Sequence, residues 1–449
     1  MHVLGLDIGT TTICAVVIDS GSGRVLHSRT LPNDTRIEGQ AHEKLQSPMQ
    51  ILTKCRTLVR QLHETYSLGA IGVTGQMHGI LYYDQNGNAV SPLFTWQDES
   101  GNLPFSDTQS YALRLFDLTG YKAASGYGSC TYFVHNLTGR VPAGAVGFCT
   151  IHDYVAMQLC GRKRPLSHVS DAASLGLFHL KKLEYDRTAI AKAGLDDFLF
   201  PAVTADFALI GEYANSVPVA CAIGDNQASF LGSVRDMPGS VLCNLGTGGQ
   251  VSFLTDYSEA AGTELRPCFG DQYIRVGASL CGGRAFALLE NFLRSAAELV
   301  TGEHFDNVYA AMDRYLAAHE IPDDALAVDT RFCGTREDPA CRGKIAEIGL
   351  TNFTAGHLVF GVLQGIAAEL KTLYDSAPHG ERETLVCSGN GLRKNPALRA
   401  ECARQFGMQT VLPVHREEAA FGAALFAMTA CGVTKTIHEA QALIQYEKE

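Results

Sequence analysis

The chain is short of several things, and each shortage closes a possibility. It has no Gly-x4-Gly-Lys-Ser/Thr stretch, which excludes a P-loop nucleotide site. Basic residues are outnumbered, 36 Lys and Arg against 47 Asp and Glu, for a net charge of −11. A nucleic-acid partner would want a basic face, so none is expected. Phosphorylated small molecules are not excluded, because local amides and Mg²⁺ can offset the global field. No Cys-x-x-Cys pair occurs among the cysteines, and Cys14, Cys149, Cys221, Cys243 and Cys387 sit inside apolar runs. Buried, reduced thiols in a cytoplasmic protein are the expectation. No apolar run reaches the ~20 residues of a membrane span. No leader precedes Val3, which already belongs to a strand, so no membrane partner is expected. Tryptophan occurs once, at Trp96.

What is present is enough apolar material, 46%, for well-packed cores. At 449 residues the chain exceeds one ordinary core, so two domains are expected, at 1–232 and 233–449. The stretch that organises them is Val3 to Ile18. An apolar run enters, the knot Asp7, Gly9, Thr10, Thr11 and Thr12 interrupts, and an apolar run leaves. This is a hairpin pattern. Glycine lets backbone amides approach a ligand, hydroxyls donate to anionic oxygens, and a carboxylate beside them can hold hydrated Mg²⁺. The bland alternative is a turn in which Asp and Thr bond their own backbone.

An echo weighs against the bland reading. Val241 to Leu254 repeats the pattern around Gly246, Thr247, Gly248 and Gly249. Two such turns suggest two related α/β lobes facing one nucleotide, and interdomain clefts commonly hold ligands. Between the turns, Met49 to Tyr66 has helical apolar spacing, and Ala70 to Val73 is a strand leading into Thr74-Gly-Gln76-Met77-His78. Gln76 and His78 follow a strand end, where α/β sheets place their ligands, and offer donors and acceptors to hydroxyl groups. Trp96 and Asp98 lie in a polar loop after a strand; an aromatic face over sugar C–H bonds and a carboxylate for hydroxyls is one reading, and a core or interface Trp the other. Asp153 is placed to cap a helix running to Leu159. Asp225 ends the strand Val217 to Ile223 and opens a helix. It is either a helix cap or a general base.

Asp7-Ile-Gly-Thr-Thr, Gly224-Asp225-Asn226 and Gly389-Asn390-Gly391 occur in the order seen in the FGGY carbohydrate kinases, of the actin-like ATPase superfamily. The resemblance spans nearly the whole chain. Thr74 to Gly79 resembles the ketose-specific members. Thr95-Trp-Gln-Asp98 with Thr150-Ile-His-Asp-Tyr154 is most similar to those acting on sedoheptulose, whereas the xylulose-specific members more often carry Asn-Asp after the tryptophan.

The resemblance implies an α/β fold of two actin-like, ribonuclease H-like lobes with a deep interlobe cleft. It implies ATP and Mg²⁺, with Thr10, Thr11, Thr12, Gly246, Thr247, Gly248, Gly283, Gly389, Asn390, Gly391 and Asn395 on the nucleotide side. Asp7 and Asp225 would hold the metal. Gln76, Met77, His78, Trp96, Asp98 and Asp225 would meet the sugar, with Ser170 and Asp171 as weaker candidates for its pocket. Asp225 matches the family's catalytic aspartate. The implied reaction phosphorylates a ketose on its terminal hydroxyl, sedoheptulose to its 7-phosphate first, D-xylulose or another ketose or polyol second. A monomer or homodimer acting on free sugar and ATP is expected. Arg331 and Arg336 are cations able to approach phosphate. Two rivals differ in class: a catalytically idle ATP- or sugar-binding regulator, and a chaperone-type ATPase. The intact Asp225 weighs against the first, and the second lacks residues for a peptide-binding domain.

Overall fold

The computed structural model describes residues 1–258, 262–335 and 338–448, so Arg336 lies outside the described residues. The chain forms two compact units. One comprises 1–235, 266–273 and 417–445; the other comprises 236–265, 274–416 and the end of the chain from Tyr446.

The first unit is built on a sheet whose strands run in the order Leu209–Tyr213, Val217–Ala220, Leu68–Gly75, His2–Ile8, Thr12–Asp19, Val25–Pro32, with Ile223–Gly224 also pairing to Leu68–Gly75. His2–Ile8 is antiparallel to Thr12–Asp19 and parallel to Leu68–Gly75. Leu4, Leu6, Ile8, Ile13, Ala15 and Val17 are fully buried, as the apolar runs require. Helix Pro48–Tyr66 begins where Ser47 accepts from the amide of Gln50, with Pro48 in its first turn, and ends at Ser67 in a left-handed conformation. Its face Ile51, Leu52, Cys55, Leu58, Val59 and Leu62 is buried. At about 1.5–3 kcal/mol per aliphatic side chain, that burial outweighs the tenths of a kcal/mol in helix propensity.

The second unit repeats the plan. Ser240–Leu245 is antiparallel to Gly249–Thr255 and parallel to Thr384–Ser388, which in turn pairs with Gln409–Val411. The sequence echo is thus a repeat of topology: a hairpin and a parallel neighbour. Helix Ala355–Asp375 starts at the Thr354 cap and buries Val359, Val362, Leu363, Ile366 and Leu370. Gly361 lets it lie close to another backbone, since a Cβ there would sit 2.3 Å from the carbonyl oxygen of Leu326.

Two local differences from the sequence reading have physical causes. Helix Glu418–Ala430, late in the chain, belongs to the first unit, where it packs on His2–Ile8, Leu68–Gly75 and helix Asp225–Ser233. Glycines admit it: a Cβ on Gly5 would lie 1.7 Å from the carbonyl oxygen of Ala420, and one on Gly72 1.9 Å from that of Ala423. The other concerns Asp153. Helix Ile151–Leu159 is capped by Thr150, whose hydroxyl accepts from the Asp153 amide; Asp153 sits inside the first turn with its carboxyl buried. The cap went to the hydroxyl because its position has the extended backbone that capping needs, ψ 168°.

Candidate functional site

In the first unit the parallel strands end together. Ile8 pairs with Gly75, and Gly75 with Gly224. Beyond these ends lie the Thr10 turn, Gln76-Met77-His78 and Asp225. Asp225 is the first residue of helix Asp225–Ser233, and the N-cap is Gly224, which has no side chain to cap with. Its carboxyl takes a backbone hydrogen bond from Asn226. The Gly224 amide donates to Ser170 Oγ at 3.1 Å, and Gln227 Nε2 to the carbonyls of Ser170 and Pro267, which fixes the turn from behind.

Asp7 and Asp225 are partly reachable by solvent yet largely wrapped by protein. Burial, then Asp225, then Glu417 push Asp7 up to about 7, against the pull of His152. Burial pushes Asp225 up to about 6, opposed by His152 and Arg266. Oδ1 of Asp7 is buried and finds no hydrogen-bond partner. Two carboxylates with a mutual repulsion and an orphaned oxygen form a place short of positive charge.

The turn itself is braced. Thr10 Oγ1 donates to Gln76 Oε1 at 3.2 Å and accepts from Trp96 Nε1 at 2.9 Å. Gln76 Nε2 donates to Gln46 Oε1 at 2.8 Å, Gln46 Nε2 to the Thr10 carbonyl at 2.8 Å, and Asn33 Nδ2 to the Gly9 carbonyl at 2.7 Å. Gln76 thus spends both ends of its amide on this network. Thr11 and Thr12 are exposed.

Trp96 is not a core filler: it is 48% exposed. Asp98 is buried in the same loop, accepting from the amides of Ser100 at 2.9 Å and Lys44 at 3.4 Å. The polar segment before helix Pro48–Tyr66 is tied here, since the Lys44 carbonyl accepts from both the amide and hydroxyl of Thr95. His78 has φ 73°, a strained value for a non-glycine, held by its neighbours. Its amide donates to Ser174 Oγ at 3.1 Å, its Nδ1 to the Ser174 carbonyl at 2.8 Å, and its ring stacks on Tyr127 at 4.3 Å. Met77 turns inward, 5% exposed. A Cβ on Gly224 would lie 2.7 Å from its terminal carbon, so it packs under the Asp225 turn.

In the second unit Gly246 and Thr247 are exposed at a hairpin tip. The amides of Gly283 and Arg284 donate to the carbonyls of Gly246 and Thr247 at 3.0 and 3.1 Å. A Cβ on Gly282 would sit 2.5 Å from the carbonyl carbon of Gly248, and on Gly283 2.4 Å from the Gly246 oxygen. The glycine pair seats helix Gly282–Thr301 on the turn, so Gly283 braces it rather than presenting its amide outward. Gly389, at φ 77°, and Gly391 press on Leu245, while Asn390 is exposed. The side-chain oxygen of Asn395 accepts from the Leu398 amide at 2.9 Å and caps helix Pro396–Phe406, the start that Asn395-Pro396 marks in the sequence. Arg331 is engaged by both oxygens of Asp329.

Sequence reasoning missed His152, Arg266, Glu417, Asn33 and Gln46. His152 stood inside a quoted motif, but its chemistry depends on Asp171, which only the fold brings to it.

By its family match the chain is a phosphotransferase acting on sugars. Residues 2–232 match the N-terminal domain of the FGGY family of carbohydrate kinases and residues 241–431 its C-terminal domain, so the chain belongs to that family. It is similar to sedoheptulokinase of Mus musculus, at 28% identity over 94% of this chain and 96% of the relative. Glycerol kinase 2 of Sulfolobus acidocaldarius is 23% identical over 98% and 90%. The ligand-bound xylulose kinase from Lactobacillus acidophilus shares the fold, with a TM-score of 0.83 at 18% identity, covering 100% of this chain and 93% of that one. The family implies ATP as phosphoryl donor. Among the described residues no helix is long and apolar enough to cross a membrane.

Proposed function

We propose that this kinase transfers the γ-phosphoryl group of Mg·ATP to the terminal hydroxyl of a ketose, sedoheptulose foremost. The observation that carries it is the Asp225 carboxyl at the strand ends, raised by burial and repelling that of Asp7. Asp225 accepts the hydroxyl proton as that oxygen attacks the γ-phosphorus; the bond to the β,γ-bridging oxygen breaks and ADP leaves. Thr10, Thr11 and Thr12 offer donors to phosphate, as do Thr247 and Gly248 in the second unit, with Asn390 on the nucleoside side. Trp96, His78 and Asp98 frame the sugar. The sugar choice follows the 28% identity to sedoheptulokinase and its near-complete coverage.

Asp7 and Asp225 fit a hydrated Mg²⁺: the orphaned Asp7 oxygen and the mutual repulsion of the two carboxylates both ask for a cation. When bound, Mg²⁺ supplies charge neutralisation on the phosphate oxygens. This has a thermodynamic signature. Both carboxyls lie above their usual ~3.9, so the folded protein binds more protons than the unfolded chain between about pH 4 and pH 7. Their contribution to stability therefore falls as pH rises through that window. Mg²⁺ should relieve the strain where both are ionised, raising Tm more at pH 8 than at pH 5 in scanning fluorimetry. Equal shifts at both pH values would count against the assignment.

The activity test is ADP release with Mg·ATP over a panel of ketoses, pentitols and aldoses. A large, selective rate with sedoheptulose supports the reading. A preference for D-xylulose keeps the mechanism and moves the substrate. No stimulation by any sugar leaves a binding protein instead.

A further inference from the structure

The Thr10 hydroxyl stands in the phosphate turn, yet its one proton is already given to Gln76. The bonds around it close into a ring, and elementary chemistry fixes the direction of each. The Thr10 carbonyl can only accept, so Gln46 presents Nε2 to it, at 2.8 Å. Gln46 is left with Oε1, which takes Nε2 of Gln76 at 2.8 Å. Gln76 is left with Oε1, which takes the proton of Thr10 Oγ1 at 3.2 Å. An indole N–H can only donate, and Trp96 Nε1 donates to the same Oγ1 at 2.9 Å. Thr10 is thus gripped by its carbonyl and by its side chain. Gln76 follows strand Leu68–Gly75 and Gln46 ends the short strand Leu45–Gln46, so the ring is tied to regular structure. The two glutamines are 2% and 3% exposed; water cannot replace these bonds, and breaking one leaves a buried amide group without a partner.

Trp96 is the most exposed member of this network. Its main chain is held from both sides. Thr95 donates twice to the Lys44 carbonyl, the Gln97 amide donates to Thr95 Oγ1 at 3.4 Å, and a Cβ on Gly126 would lie 1.9 Å from the Trp96 carbonyl oxygen. The polar contact that orients the indole itself is the bond to Thr10. Thr11 and Thr12 differ from Thr10 in being exposed, whereas Thr10 is half-buried.

We propose that Trp96 is a positioning residue for phosphoryl transfer: its indole N–H, through Thr10, sets the phosphate turn, while its ring face is left for the sugar. The Thr10 hydroxyl is then a relay rather than a phosphate donor, and the exposed hydroxyls of Thr11 and Thr12 remain for the phosphates. This rests on the reading that puts phosphate at this turn and the ketose at the Trp96 loop. One side chain then serves both halves of the reaction, because a sugar seated on the indole bears on the turn that holds the group it will receive. Groups set in advance need no rearrangement when the reaction occurs, and a misplacement of ~1 Å is enough to cost about 10²-fold in rate.

The test measures kcat and KM for ATP and ketose in wild type, Trp96→Phe, Thr10→Val, Thr10→Ser and the double variant Trp96→Phe/Thr10→Val. Phe keeps an aromatic face without the N–H, and Val keeps the shape of threonine without the hydroxyl. Each of these two single variants is expected to lower kcat about tenfold, with KM for ATP within about threefold, and Thr10→Ser to stay within about threefold of wild type. The double variant should fall short of the product of the two losses by about threefold or more, since both remove the same bond. Losses that multiply, or a raised KM for ATP with unchanged kcat in Thr10→Val, would overturn the inference. Thr10→Val leaves the buried Gln76 oxygen unpaired and can prevent folding. In that event a tryptophan analogue with sulfur in place of the ring N–H decides. Trp96 is the only tryptophan, so the analogue replaces this ring alone. A kcat loss of about tenfold with unchanged KM for ketose supports the role, and wild-type kcat overturns it. Wild-type fluorescence separates the inference from the reading beneath it, because the emission reports Trp96 alone. If neither sedoheptulose nor D-xylulose shifts that emission while turnover still depends on ketose, the sugar placement has failed and this inference with it. If ketose shifts the emission but the variants turn over as wild type does, only the positioning role is lost.

Discussion

Replacing Asp225 with Asn should cut kcat by about 10²–10⁴-fold, the usual contribution of a positioned general base, while KM for ATP and ketose changes only a few-fold. Asn keeps the shape and the helix start, and Gly224 remains the N-cap, so the fold has no reason to respond. The measurement is steady-state ADP release together with calorimetric binding of each substrate. The structure sharpens the expectation. An aspartate that capped its helix would lose a cap on substitution, worth ~1 kcal/mol, with little effect on turnover. Here the N-cap position belongs to Gly224, so a loss of stability without a loss of kcat would sink the catalytic reading. In the wild type, kcat/KM should fall about tenfold per pH unit below about pH 6, where burial has placed the Asp225 titration.

The second large effect concerns packing. Helices Asp225–Ser233 and Glu418–Ala430 touch backbone to backbone: a Cβ on Gly422 would lie 1.9 Å from the Ala228 oxygen, and one on Gly232 2.1 Å from the Glu418 oxygen. No rotamer can relieve a clash with main chain. Gly422→Val should therefore cost ~3 kcal/mol or more, at or beyond the upper end for overpacked cores. Because the displaced partner helix starts at Asp225, kcat should fall with stability. Gly380→Ala, where an added Cβ meets nothing within 4 Å, should stay within ~0.5 kcal/mol of wild type. Urea unfolding and turnover on both variants give the comparison, and an unchanged Gly422→Val midpoint would show that the helices can separate freely.

Much of this was legible in the chain because its signals are local. The two hairpins announce themselves by apolar runs around Gly/Thr knots, and helix Pro48–Tyr66 by spacing and its Ser47-Pro48 start. Asp225 was readable as either cap or base, and the fold gives the cap position to Gly224. Asp153 misled because capping preference is a statement about residue type, while the extended backbone that a cap needs belongs to Thr150. Gln76 looked free to meet a ligand until its amide was found bonded to Thr10 and Gln46, whereas Asn395-Pro396 reads as a helix start and is one. The His152–Asp171 pair was illegible for a different reason. Nothing in one sequence says that two polar residues will be buried, and pairing is a property of the fold.

The return of helix Glu418–Ala430 to the first unit sets a timetable for synthesis. Thr30 donates to Glu417 across 387 positions of chain, and Gly5 and Gly72 wait for Ala420 and Ala423. A ribosome making this protein releases the first strand long before the helix that covers it. Until then Cys14 and Val16, which end up buried against Ala420, have no cover. Such long-range closure slows folding, and an uncovered apolar sheet face is open to aggregation. The first unit of this kinase is thus begun at His2–Ile8 and can be finished only when helix Glu418–Ala430 has left the ribosome.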